Sequence, residues 1–193
     1  MKNNNYVIAF DLDGLVFDWE FDFCSKFGNK NRHLPNLFER YPDIDPGIIQ
    51  EFIDSPETYR DLLPIFGGIT FVRIAKALGF GIIFLTNRPE KAYKLTRQSL
   101  KYYELPFDDL IFTKDKADFI TRFNTAGNQK IRMLVDDIPA NLEKLPEGVV
   151  GMCWEQPWNE GKYPRARYND VKMAVEYKFD TVSEWKTIFK EKK

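Results

Sequence analysis

The sequence predicts an α/β fold of three layers, with helices on both faces of a parallel sheet and a small helical cap inserted after the first strand. Three observations predict it. Short apolar runs alternate with helix-period segments along most of the chain, the pattern of strands joined by crossover helices. Acidic, hydroxyl or amide residues follow several of these runs, at the edge where open α/β sheets place their ligands. One interval, from Phe17 to about Pro64, breaks the rhythm with aromatic residues and prolines.

Taken in order, Tyr6-Val7-Ile8-Ala9-Phe10 reads as a buried first strand ending in Asp11-Leu12-Asp13-Gly14. Gly14 permits a sharp turn there. Two carboxylates one residue apart are costly to bring together unless a cation or a reaction requires them. The next interval holds Phe17, Trp19, Phe21, Phe23, Phe27, Phe38, Tyr41, Phe52 and Tyr59, with breaks at Pro35, Pro42, Pro46 and Pro56. A structureless loop of that length is improbable in a compact domain. Residues 17–64 are therefore expected to form a mainly helical cap able to close over the acid pair, with 1–16 and 65–193 forming the core.

Strands follow at about 80–85, 109–112, 131–135 and 149–153, and helices at about 67–78, 90–103, 115–124 and 138–143, each near a Gly, Pro or polar break. Thr181-Val182-Ser183-Glu184 has the spacing of a capping box and predicts a final helix through Trp185.

The 28 basic and 29 acidic residues leave a formal charge of −1, which supplies no global attraction to nucleic acid or to an anionic membrane. Any nucleic-acid contact would have to be local, and none is favoured. Cys24, Cys153 and the single histidine, His33, do not furnish the usual zinc ligand sets. His33 reads as an ordinary polar residue of the cap, and the thiols as reduced. The first residues run into the strand without the apolar segment of a secretion signal, and no run approaches a membrane span. A cytoplasmic protein is expected.

Chemistry concentrates at the strand ends. Thr86-Asn87 follows the second strand, Lys116 opens the helix after the third, and Asp136-Asp137 ends the fourth. If these ends converge, they assemble four carboxylates, a hydroxyl, an amide and an ammonium. That inventory suits magnesium-assisted phosphoryl transfer: a hard cation takes carboxylates and phosphate oxygens, while the ammonium and hydroxyl hold the remaining oxygens.

Asp11-Leu12-Asp13-Gly14, Leu85-Thr86-Asn87, Lys116 and Asp136-Asp137 resemble the four ordered motifs of the haloacid dehalogenase superfamily of phosphatases, over residues 6 to about 140. The resemblance implies that Asp11 attacks phosphorus to form an aspartyl-phosphate and that Asp13 serves as acid and then base. It also implies Mg2+ held by Asp11, the backbone carbonyl of Asp13 and Asp136, with Asp137 behind them or as an alternative ligand. Thr86 and Lys116, with Asn87 beside them, would bind phosphate. Lys114 competes with Lys116 for that role, and Lys91, Lys94 and Arg97 lie on the preceding helix. Ser55-Pro56-Glu57-Thr58-Tyr59-Arg60-Asp61-Leu62-Leu63-Pro64 with Gly67-Gly68, then Gln156-Pro157-Trp158-Asn159, Arg165-Ala166-Arg167 and Trp185, resemble the 5'(3')-deoxyribonucleotidase family. Leu12, Leu15 and Asn87 depart from that family's usual residues. The implied substrate is a small phosphate monoester, a (deoxy)nucleoside monophosphate, with Trp19 and Phe23 stacking on its base.

Other readings stand beside these. Either acid pair can cap a helix, Thr86-Asn87 can be a plain turn, and aromatic residues at helical spacing commonly build a core. Runner-up functions are a phosphatase acting on polynucleotide ends and a binding or regulatory protein that keeps the scaffold without turnover.

Overall fold

The computed structural model describes residues 6–30, 32–34 and 36–160, and the backbone of 165–166. Its parallel sheet comprises β1 (Tyr6–Phe10), β2 (Gly81–Thr86), β3 (Asp109–Phe112), β4 (Lys130–Asp136), β5 (Val150–Trp154) and the two-residue β6 (Arg165–Ala166), in the spatial order β3-β2-β1-β4-β5-β6. The helices are α1 (Trp19–Phe27), α2 (Leu37–Arg40), α3 (Pro46–Asp54), α4 (Phe66–Ala77), α5 (Tyr93–Tyr102), α6 (Lys116–Ala126) and α7 (Pro139–Leu142). The final helix expected at Thr181–Trp185 lies outside the described residues, as does Arg167. The segment expected to be helical from about residue 90 opens as a 3-10 turn at Glu90–Ala92, because Pro89 enters it in an extended conformation.

Side chains alternate across a strand, and here both faces are apolar. Ile8, Phe10, Ile82, Phe84, Met133 and Val135 pack with Ile69 and Val72 of α4 and Leu100 of α5. Val7, Ala9, Ile83, Leu85, Ile131 and Leu134 pack with Ile120 of α6 and Leu142 of α7. The result is three layers. α4 approaches the turn after β1 so closely that a Cβ on Gly68 would lie 1.8 Å from the carbonyl oxygen of Leu15.

One irregularity sets the site. Between β1 and β4 the register shifts after Val7 and Ile131, so that Ile8 pairs with Met133 and Phe10 with Val135. Arg132 is the extra residue, a bulge that advances the phase of β4 by one. The sheet also changes direction here: β2 and β3 lie on one side of β1, and β4 and β5 on the other. The carboxyl ends of β1 and β4 therefore flank a topological switch point, where such sheets form a crevice.

The interval after β1 is a helical insert. Asp18 caps α1 by accepting the Phe21 N–H at 3.0 Å, and Asp45 caps α3 ahead of Pro46 in its first turn. Phe23, Tyr41 and Ile49 are buried at its centre, with Trp19, Phe27 and Phe52 packed around them. The Phe23 ring lies 4.7 Å from Phe27 and 5.0 Å from Tyr41. This corrects the expectation for Phe23: fully buried, it holds the insert together and offers no face to a base. No described helix is long and apolar enough to cross a membrane.

Candidate active site

Asp11 emerges from β1 with its backbone N–H donating to the Val135 carbonyl at 2.9 Å, which locks the end of β1 to β4. Val7, Ala9 and Asp11 share one side of β1, and Leu134 and Asp136 share the same side of β4. That side faces α6. Asp115 caps α6 by accepting the Asp118 N–H, so Lys116 is the first helical residue. A cation is disfavoured at that end of the helix dipole. Its compensation is ionic: the Lys116 ammonium lies 2.8 Å from Asp11 Oδ1 and 2.6 Å from Asp136 Oδ2. Burial alone would lower the Lys116 ammonium, but Asp11 and Asp136 outweigh it and hold it above its ordinary value.

Asp136 is fully buried and saturated. Besides Lys116, its oxygens accept from the Ile138 N–H at 2.8 Å and from Asn141 Nδ2 at 3.0 and 3.1 Å. Asp137, one residue on, lines the cleft described below. Its carboxylate sits against Gly14, where a Cβ would meet Asp137 Oδ2 at 2.5 Å, and Gly14 has φ of +75°. Gly14 is thus required both by conformation and by space. Oxygens of Asp11, Asp136 and Asp137 lie within 4.8 Å of one another. Burial first, then Lys116 in opposition and the neighbouring acids, set Asp11, whose carboxyl is pushed up to about 7. Burial, Asp136 and Asp11 likewise push Asp137 well above the carboxylate range.

Asp13 is held from the other side. Arg88 Nε and Nη2 donate to its two oxygens at 2.9 and 2.6 Å, the bidentate fork that guanidinium and carboxylate favour. Thr86, at the end of β2, is buried and its hydroxyl accepts the Arg88 N–H at 3.2 Å, leaving its own proton to donate. Asn87 lines the cleft, and its carbonyl accepts from Lys114 at 2.9 Å. The two competing lysines are thus separated: Lys116 lies between the acids, and Lys114 lies at the rim.

The cleft has a volume of about 320 Å³. Asp11, Asp13, Asp137 and Arg88 line it together with Trp19, Leu37, Ile53 and Trp158, whereas Thr86, Lys116 and Asp136 do not. The indole N–H groups of Trp19 and Trp158 are buried without an acceptor among the described residues. Glu20 and Arg40, also at the wall, form a buried ion pair.

Several site residues carry no role that sequence reasoning assigns. Arg88 pairs with an acid 75 positions away, and its only local signal is its place directly after Thr86-Asn87. Gln156-Pro157-Trp158-Asn159 stands in the sequence only as a mark of resemblance. In the fold, Gln156 Nε2 donates to the Gly14 carbonyl at 2.6 Å, and Asn159 Nδ2 donates to the carbonyls of Asp137 and Trp154 at 2.6 and 2.8 Å. This loop therefore braces the backbone of both acidic turns. His33 Nδ1 meets the Pro157 carbonyl at 3.0 Å, linking the insert to the same loop.

No family model matches the chain, and no curated protein matches its sequence. Solved structures do match. A haloacid dehalogenase-like family hydrolase from Streptococcus pneumoniae superposes with a TM-score of 0.61 at 14% identity, covering 92% of this chain and 100% of that one. The fold is haloacid dehalogenase-like. A HAD-superfamily hydrolase from Ehrlichia chaffeensis gives 0.56 at 12% identity, covering 92% and 98%. At such identities the likeness is one of HAD-like fold. Two chains of Pnkp1/Rnl/Hen1 RNA repair complexes superpose less closely, with a TM-score of 0.49 at 16% and 14% identity, and this chain spans 42% and 47% of their lengths.

Proposed function

We propose that the protein is a magnesium-dependent phosphatase that releases phosphate from (deoxy)nucleoside monophosphates through an aspartyl-phosphate at Asp11. The observation that carries this reading is that Asp11 and Asp137 line a cleft shared with Trp19 and Trp158, while the buried Lys116–Asp136 pair meets Asp11 behind it.

The residues fit a hard divalent cation. Three buried carboxylates lie together and one ammonium pairs with only two of them, Asp11 and Asp136, and all the candidate ligand atoms are oxygens, the donor type magnesium takes. The side chains of Asp11 and Asp137, with the backbone carbonyl of Asp13, would hold it. Asp136 is assigned to Lys116 instead, because its oxygens already accept from three groups. This exchanges the roles that the sequence suggested for Asp136 and Asp137. When bound, magnesium supplies neutralising charge for the phosphoryl oxygens.

In the first half-reaction Asp11 forms a bond to phosphorus as the bond to the leaving oxygen breaks, and Asp13 passes that oxygen a proton. In the second, Asp13 takes a proton from water as the water oxygen bonds to phosphorus and Asp11 is released. Lys116 keeps Asp11 oriented, with one ammonium proton left over for a phosphoryl oxygen. Thr86 and Asn87 donate to the remaining oxygens.

The insert of residues 17–64 acts as the cap and supplies Trp19, with Trp158 contributed by the core. Stacking a base on such rings is worth about 1–3 kcal/mol. Carbonyl oxygens on the base would satisfy indole donors otherwise left unpaired. A panel of ribo- and deoxyribonucleoside monophosphates, assayed with and without magnesium, tests the reading. Magnesium-dependent release at rates well above those for a generic aryl phosphate is expected. Rates no better than the aryl phosphate would refute the nucleotide assignment.

A further inference from the structure

We infer that Arg88 is a positioning residue, which aims the Asp13 carboxyl at the leaving oxygen. The inference rests on the phosphatase reading and goes beyond it.

The geometry is specific. Arg88 is buried, and its three donor nitrogens are all engaged: Nε and Nη2 on Asp13, and Nη1 on the hydroxyl of buried Thr96 at 3.0 Å. Its guanidinium lies 5.4 Å from the ring centre of Phe17 and 4.7 Å from that of Tyr59, within cation–π range on both. A guanidinium fixed in this way has no freedom to reorient, so neither does the carboxyl it grips. Arg88 takes one lone-pair site on each Asp13 oxygen. The remaining sites stay available for a proton facing the cleft, which Asp13 also lines.

The aromatic contacts hold the guanidinium in place. Tyr59 belongs to the 3-10 turn Pro56–Tyr59, lines the cleft, and donates its hydroxyl proton to the Ile53 carbonyl in α3. Tyr59 and Phe17 are both buried in the core cluster that includes Phe10 and Phe71, so the guanidinium is clamped by rings the core itself fixes.

Positioning an acid matters most where the leaving group needs a proton. An alkyl phosphate, such as a nucleoside monophosphate, expels a poor leaving group, whereas p-nitrophenyl phosphate expels a good one. Replacing Arg88→Gln is expected to cut kcat/KM, which reports the first half-reaction, about 100-fold on the nucleoside monophosphate, the scale of general acid catalysis. The loss of kcat/KM on p-nitrophenyl phosphate should be under about 10-fold, while release of the phosphoryl group from Asp11, where Asp13 acts as base, slows alike whichever substrate supplied it. Arg88→Lys, which cannot form the fork, should resemble Arg88→Gln.

A double-variant cycle keeps the inference testable if the arginine also supports the fold. If Arg88 acts through Asp13, then Asp13→Asn with Arg88→Gln should be no slower than Asp13→Asn alone. Multiplying losses in the cycle, equal losses of kcat/KM on both substrates, or a raised KM at unchanged kcat would each overturn it. A wild-type protein that releases phosphate from neither substrate would instead sink the phosphatase reading itself, and this inference with it.

Discussion

At the scale of single residues, the cost of the site falls on Asp11 and Asp137, both raised first by burial. The Asp11 carboxyl ordinarily titrates near 3.8 and is pushed up to about 7 here, first by burial and then by Asp136 and Asp13, against the pull of Lys116. Between those two values the folded chain keeps a proton that the unfolded chain releases. In metal-free protein, stability from this group is therefore greatest below about pH 4, falls as pH rises through the window, and levels off above about 7. The melting temperature in chelator should fall from pH 5 to pH 8, and Asp11→Asn should reduce that slope while raising the pH 8 value, Asp137 carrying the remainder. Added magnesium should do the same for the wild type, because it pairs with the buried negative charge. An identical slope in wild type and Asp11→Asn would show that Asp11 is not the strained group. The acids themselves are legible in the sequence, because carboxylates set at the ends of apolar strands cost free energy that only a cation or a reaction offsets. The grip of Arg88 on Asp13 is not legible, because it joins β1 to the turn after β2 and leaves no spacing to read.

At the scale of elements, the bulge at Arg132 decides which acid does what. Directions alternate along a strand, so a shift of one residue exchanges faces. With Arg132 inserted, Leu134 and Asp136 turn toward α6 and Lys116, and Asp137 is left to the cleft. The apolar run Ile131–Val135 announces a strand but not which of its residues is extra, so the sequence, which put Asp136 first and Asp137 behind it, does not display which of the two lines the cleft. The insert has the same limit. Its helical spacing marks Trp19 and Phe23 as neighbours, yet only packing against Tyr41 and Ile49 separates the core residue from the one at the cleft. The phase of β4 makes a paired prediction. Asp137→Asn should raise the magnesium needed for half-maximal phosphate release by at least about 10-fold, the scale of losing an important metal interaction. Asp136→Asn should leave that requirement nearly unchanged while lowering turnover, because it frees Lys116. The reverse ordering in a magnesium titration would restore Asp136 as the ligand.

At the scale of the whole molecule, the parallel sheet, its helix layers and the helical insert follow from patterns that the sequence displays openly: apolar strand runs, helix-period segments between them, and an aromatic interval too long to be a loop. The sheet's switch point then brings β1 and β4 together, and the loop Gln156–Asn159 braces both acidic turns. We propose that this assembly lets Asp11 take a phosphoryl group. Turnover of a nucleoside monophosphate carrying a radiolabelled phosphate, quenched in acid, measures it most directly. The predicted result is label retained on the wild-type protein at Asp11, only when magnesium is supplied, and none on Asp11→Asn. Magnesium-dependent turnover with no label on the protein, or label undiminished in Asp11→Asn, would contradict it.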